Sequence, residues 1–347
     1  MSCTLSVIII SHNQKEEFRR CIDSILAMNL PFEHEIIVSD DASTDGTWEL
    51  IRQYQSEYPS IVKAYQCNSN DCNPDMVSER AGFNRINGLK HATGKYLVHM
   101  DGDDMLIDPD CLRMQVQTLE AHPECSICCQ RYCVINRNNV IIEPLSKRIF
   151  EENDILSVDE FINAIPYIHN SACCVRRDGL DPDSLFGFTY DDVDITFSYI
   201  SRGKVALLNR CGFSYNNTSS GTASDFQENG QKICWLTGVS SSIIAPQCSG
   251  SLLRSSLKDL LHVVNLELKE VKLDQCIVRY LSKQPAFIFR CVANLSAITT
   301  KVRLRILWVY LHIVQIGNFN GNTMVKILYK LAINNKIPNS VDFSRCV

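Results

Sequence analysis

The sequence predicts an α/β protein: a mostly parallel sheet with helices on both of its faces, followed by a helical C-terminal region. Two observations predict it. Short apolar, β-branched runs alternate with amphipathic helical stripes from Leu5 to Met100, and strands separated by helical crossovers pair in parallel. Beyond Asn216 a Ser/Thr/Gly/Asn segment, "NNTSSGTASD", breaks this pattern, and helical spacing dominates the remainder. The expected division is therefore 1–215, with halves 1–110 and 111–215, and then 216–347, a mobile loop leading into helices.

Each element follows from its residues. "LSVIII", Leu5 to Ile10, is a buried strand, broken by Ser11-His12-Asn13. Phe18, Ile22, Ile25 and Leu26 recur at helical spacing with Lys15, Glu16, Arg19 and Arg20 between them. "HEIIVSDD" is a second strand, ending in Asp40-Asp41, and "ASTDGT" supplies turn chemistry. Trp48, Ile51, Tyr54 and Tyr58 form the next helical stripe. "IVKAYQC" is a third strand, "NSNDCNPD" a polar loop, and Ala81, Ile86 and Leu89 mark a helix before the fourth strand, "KYLVHM". From Leu112 to Val205 the pattern is mixed. "SICCQRYCVI" and "VIIEPL" read as a hairpin around Asn136 to Asn139, and "HNSACCVRRD" as another strand. "GFTYDDVDITFSYISRGKVALLN" reads as an acidic turn, a helix and a closing strand.

Composition narrows the function classes. The chain has 347 residues, 45% hydrophobic and 21% charged, with a formal net charge of -5. That balance opposes nucleic-acid binding, which favours a basic stripe. The first apolar run is too short for a secretory leader, and no run reaches about 18 apolar residues. A cytoplasmic protein is expected. Seventeen cysteines are scattered, several inside apolar runs. Cys125-x-x-Cys128-Cys129-x-x-x-Cys133 lacks a matching second half for zinc, so the thiols read as small buried hydrophobes.

In a parallel sheet the binding crevice lies outside the carboxyl ends of the strands. Here those ends carry Ser11-His12-Asn13, Asp40-Asp41 and Asp101-Gly102-Asp103-Asp104. Crowded carboxylates raise one another's pKa unless a cation neutralises them. Mg²⁺ or Mn²⁺ does so through oxygen ligands and keeps positions for substrate phosphate. Gly102 is expected to turn the backbone so that Asp101 and Asp103 face one ion. Asp40-Asp41 suits a base NH or ribose hydroxyls, or the capping of the helix near Thr47. Arg85 is a forked donor within reach of a diphosphate, or part of a solvated helix face. Asp191, Asp192 and Asp194 precede a helix, as dipole compensation or as a general base for an acceptor hydroxyl. No GxGxxG follows the first strand, which opposes a dinucleotide-dependent oxidoreductase.

Taken in order, "IIISHN", "IIVSDDASTDGT", "RINGLKHATGKY", "HMDGDD" and "YDDVDITFSYISRGK" resemble the motifs of family-2 glycosyltransferases. The resemblance covers roughly Leu5 to Asn209 and implies the GT-A fold, Rossmann-like and mostly parallel. It implies a metal-dependent, inverting transfer from a nucleotide-diphosphate sugar, UDP-linked by preference, to a glycan or lipid-linked acceptor, as in surface polysaccharide synthesis. It implies that Ser11 and His12 border the base, Asp41 contacts it and Asp40 lies near the ribose. Arg85 would approach the diphosphate. Asp101 and Asp103 would hold ribose and metal, with Asp104 a rival metal ligand. Asp192 would be the catalytic base, partnered by Asp191. The chain departs from the family pattern at Ile10, His12 and Ile86. It also departs at "FSYNNTSSG", where the family's late Arg and His are missing. The missing His and the altered first loop would support the competing expectation, a nucleotide-sugar-binding or assembly protein that keeps the fold without turnover. Asp101, Asp103 and Asp192 oppose it. From 301 to 340 Lys and Arg flank an apolar stripe with no acid among them, which fits either peripheral contact with the inner face of a membrane or a helical cap on the domain.

Overall fold

The computed structural model describes residues 3–68, 80–135, 141–142, 153–158, 160–161, 169–178, 195, 198–200 and 202–216. The first half follows the expected alternation. It runs β1 (Leu5–Ser11), α1 (Lys15–Leu26), β2 (His34–Asp41), α2 (Thr47–Glu57), β3 (Val62–Cys67), α3 (Arg80–His91) and β4 (Tyr96–Asp101). Then come β5 (Met105–Leu106), α4 (Cys111–Ala121), β6 (Cys125–Ile135), β7 (Ile141–Ile142), β8 (Asp154–Leu156), β9 (Cys173–Arg176) and β10 (Lys204–Asn216).

The described strands form one ten-stranded sheet with the path β3-β2-β1-β4-β9-β6-β10-β5; β7 pairs with β6 and β8 with β10. β1 is parallel to β2 and β4, β2 to β3, and β6 to β10. β9 runs antiparallel to both β4 and β6. Strand alternation splits the core into two layers. Val7, Ile9, Ile36, Val38, Val98 and Met100 pack on one face under Phe18, Ile22, Leu50, Ile51, Leu112 and Val116 of α1, α2 and α4. Ile8, Ile37 and Leu97 face the other way, under Ile86 and Leu89 of α3 and the helical residues Ile195, Tyr199 and Ile200. Each such fully buried aliphatic side chain contributes about 1.5–3 kcal/mol, so both faces are covered, as expected of parallel strands.

Three local differences matter. The hairpin is present as Val134–Ile142 and Ile135–Ile141 pairs; its turn, 136–140, lies outside the described residues. "HNSACC" is not strand throughout. A 3-10 turn at Asn170–Ala172 precedes β9. The closing strand is longer than "KVALLN": it continues to Asn216, with register irregularities between Leu208 and Phe213. That extension carries its end back to the rim where β4 finishes.

Among the described residues no helix is long and apolar enough to cross a membrane. Residues 217–347, including the basic stripe at 301–340, lie outside the described residues.

Candidate functional site

The register places the rim. Ile10 is opposite Asp101 on β4, and Ser11 is opposite Asp40 on β2. The loops beyond them interlock. Asn13 (φ 53°) accepts a bond from the Thr44 amide at 2.8 Å and donates its own amide to Ser43 Oγ at 2.9 Å. Ala42 is also left-handed, at φ 48°, and non-glycine residues in that region concentrate at functional sites. His12 donates from Nδ1 to the Asp41 carbonyl at 2.6 Å, and its Nε2 lies 3.1 Å from Asn13 Nδ2.

The two acids of β2 have separate tasks. Asp40 is fully buried and accepts from the Ser43 amide (2.9 Å) and hydroxyl (2.5 Å), closing its own loop. Asp41 accepts from Arg80 Nε (2.9 Å) and Nη2 (2.7 Å). Neither caps α2, whose N-cap is the left-handed Gly46; Asp45 instead takes the Thr47 amide at 3.0 Å and the Lys15 amide of α1 at 3.2 Å, joining the starts of the two helices. Ser11 Oγ is buried with no hydrogen-bond partner among the described residues, which leaves it available to a ligand. A cavity of about 450 Å³ lined by Ala42, Ser43, Gln66, Cys67 and Asn68 opens beside the β2 end.

Arg85 is buried on α3 and donates from Nη2 to Asp101 Oδ1 at 2.7 Å. Gly102 serves the site by close approach, not by a left-handed turn. A Cβ there would lie 2.7 Å from the Ile10 carbonyl oxygen, and its φ is not in the positive region. Asp104 follows, fully buried, and accepts from Ser171 Oγ (3.1 Å) and the Asn216 amide (3.2 Å). One ligand atom from each of Asp101, Asp104 and His169 lies within 4.8 Å of the others, the one such cation-sized group among the described residues. Asp103 is outside that trio. Among the described residues the cysteines form no comparable group: Cys125, Cys128, Cys129 and Cys133 are buried, as their placement in apolar runs implied.

The electrostatics show a shortage of positive charge. Burial raises Asp103 to about 7, with the Asp101 charge adding to it. Burial, then Asp101 and Asp103, push Asp104 well above the usual carboxylate range. Burial also raises Asp101, but the Arg85 charge and its hydrogen bond offset it and leave it lowered. The buried Cys21 thiol beneath is raised by burial and then by all three acids. Hard carboxylate oxygens short of positive charge fit a divalent cation.

His169, Ser171 and Asn216 join this site unexpectedly. Because β9 is antiparallel to β4, its amino end, not its carboxyl end, reaches the rim. The polar "HNS" directly before a buried run was the available signal. Asp191 and Asp192 lie outside the described residues.

Comparison with known proteins agrees with this architecture. The model of glycosyl transferase family 2 matches residues 6–180. An uncharacterized protein of Mycobacterium tuberculosis is 33% identical over 168 residues, 47% of this chain and 46% of that one. The poly(ribitol-phosphate) beta-glucosyltransferase of Bacillus spizizenii is 30% identical over 110 residues, 31% of this chain and 16% of that protein. The crystal structure of Staphylococcus aureus TarS 1–349 with UDP-GlcNAc superposes with a TM-score of 0.57 at 18% identity, covering 86% of this chain and 85% of that one. The sheet is thus the GT-A sheet. The chain belongs to glycosyltransferase family 2. It spans about half the length of the Mycobacterium relative it matches, 46%.

Proposed function

We propose that this chain is a nucleotide-sugar-dependent glycosyltransferase that moves a sugar from a nucleotide-diphosphate donor to an acceptor hydroxyl, with inversion, during cell-surface glycan synthesis. The observation that carries it is the undercompensated acid cluster Asp101-Asp103-Asp104, set beside the loops of β1 and β2 at a GT-A rim. A glycosyl donor supplies a diphosphate that needs a cation, and this rim has acids that need one.

In this reading Asp101 and Asp104, with His169 beside them, would hold Mg²⁺ or Mn²⁺, which would supply positive charge to the leaving diphosphate. Ser11, His12 and Asp41 border the nucleoside, and the free Ser11 hydroxyl supplies an unused donor there. Asp40 acts indirectly, by fixing the Ser43 turn that grips Asn13. Arg85 holds Asp101 ionised at the diphosphate end. Asp192, supported by Asp191, takes the proton of the attacking hydroxyl, so that displacement inverts the anomeric centre. A UDP-sugar is the proposed donor, since a fold neighbour was solved with UDP-GlcNAc. A glycan or lipid-linked acceptor is proposed because a matching relative is named for poly(ribitol-phosphate) glucosylation. Residues 301–340 would bring the enzyme to such an acceptor at the membrane surface.

The test is a donor screen on the full chain. UDP- and GDP-sugars are incubated with Mg²⁺ or Mn²⁺, and nucleotide release is measured with and without chelator. Cation-dependent release from a UDP-sugar, lost in Asp101→Asn and Asp192→Asn, is expected. Binding of nucleotide sugar without turnover under any condition would turn the reading to a non-catalytic binder.

A further inference from the structure

We infer that His169 is a positioning residue, a fixed Nε2–H donor aimed at Asp104, and not a third ligand of the cation. The inference rests on the cation reading above and refines which atoms form the cage. His169 precedes the 3-10 turn, and its Nδ1 accepts the Ser171 amide at 3.3 Å. A nitrogen that accepts has its lone pair engaged and carries no hydrogen, so the ring hydrogen sits on Nε2. A cation ligand needs a lone pair at that same Nε2. Supplying it would move the hydrogen to Nδ1 and set two N–H groups head to head inside the protein, which strands a buried donor.

The ring cannot easily exchange its nitrogens. It is 3% exposed and packs at 4.9 Å between centroids against both Phe213 and Tyr215, with Tyr132 at 5.8 Å. A flip would place carbon against the Ser171 amide. The backbone is held too, because Cys173 Sγ donates to the His169 carbonyl at 3.5 Å.

Nε2 lies 3.9 Å from Asp104 Oδ2, the oxygen that already accepts the Ser171 hydroxyl at 3.1 Å. One short turn thus donates the Ser171 hydroxyl to that oxygen and sets the Nε2–H beside it, beyond hydrogen-bond length, while Asn216 holds the other oxygen. Such outer contacts orient a ligating carboxylate. The cage itself is then made of oxygen alone, and an all-oxygen set accepts Mg²⁺ as readily as Mn²⁺, whereas an imidazole ligand favours the later, softer metals.

The experiment labels histidine with ¹⁵N in the full, metal-free chain and reads two-bond ¹⁵N–¹H correlations. The His169 signal is assigned by its loss in His169→Gln. The Nε2–H pattern is expected; a hydrogen on Nδ1, in either charge state, overturns the inference and leaves the cation reading standing. On the Mn²⁺-loaded protein, electron spin-echo modulation is expected to show no directly bound imidazole nitrogen; such a coupling also overturns it. Manganese affinity in His169→Gln, which keeps an N–H donor, is expected within about 3-fold of wild type. His169→Phe is expected to weaken it on the order of 10-fold. Equal large losses in both variants would mark a ligand. If wild-type protein binds no Mn²⁺, the cation reading falls and takes this inference with it.

Discussion

Two buried acidic sites lie at opposite poles of the same parallel strands, and the fold treats them oppositely. At the amino pole, Glu35 accepts from Lys63 Nζ (2.5 Å), Thr93 N (2.6 Å), Ser6 Oγ (2.7 Å) and Thr93 Oγ1 (2.7 Å). Burial raises its pKa, yet those donors hold the carboxyl down at about 2. At the carboxyl pole, burial and mutual repulsion leave Asp103 at about 7 and Asp104 higher still. The larger cavity, about 1120 Å³, opens at the amino pole, but Glu35, Lys63 and Thr93 in its lining are bonded to one another. Size and unmatched charge therefore mark different poles. A carboxylate matched by the chain's own donors serves the fold; one left short of charge is a candidate for a partner outside the chain.

Asp104→Asn is the strongest way to break this contrast. It removes a candidate cation ligand but keeps the side chain's shape and the Ser171 and Asn216 contacts within reach. Transfer kcat/KM is expected to fall on the order of 10²–10³-fold, with the melting temperature unchanged or raised. A steady-state assay beside a thermal melt decides it. Full activity would reduce the rim to a surface of unused acids, and a collapse in melting temperature would make Asp104 structural like Glu35.

Glu35→Gln gives the mirror result. It breaks a satisfied buried network, so a loss of about 2 kcal/mol is expected, with specific activity of the folded protein unchanged. The pH dependence follows from the sign of the shift. The folded carboxyl titrates near 2 and the unfolded one near 4.5, so the stabilisation is complete above about 4.5 and is lost as pH falls toward about 2. Urea melts of wild type and variant should therefore differ by a constant amount at neutral pH and converge in that acid window.

Sequence patterning makes the amino-terminal half legible and the site only partly so. Strands β1 to β4 are short apolar runs punctuated by turn residues, and alternation along them is enforced by helices on both faces. Each acid of the rim stands at a strand end because parallel strands all finish on one edge. Reasoning from carboxyl ends fails at β9, which runs the other way and brings His169 and Ser171 to the rim by its amino end. Direction is set by which strand it pairs with, and no local residue encodes that. The acid that ties the helix starts was also hidden among neighbours: Asp45 binds the amides of Thr47 and Lys15, from two helices, and only the folded approach of the loops assigns that task to it over Asp40 and Asp41. Gly102 was marked as special for the wrong reason, since what excludes a side chain there is the Ile10 carbonyl of a strand ninety-two positions earlier.

The smallest expected effect separates the poles by sign. Asp103 takes no part in the trio of possible ligand atoms, yet burial and the neighbouring Asp101 disfavour its charge. Its ionisation opposes folding fully above about 7, and the opposition fades as pH falls toward 3.8, the reverse of the Glu35 slope. Asp103→Asn should therefore stabilise the metal-free chain by about 1 kcal/mol at pH 8, and by progressively less at lower pH. Saturating Mn²⁺ should erase the gain, because the wild-type rim then has the positive charge it lacks. Urea melts at several pH values, with and without the ion, read both effects. A destabilising Asp103→Asn at pH 8 would show that the acids of the rim are already balanced by the protein itself, and the contrast with Glu35 would no longer hold.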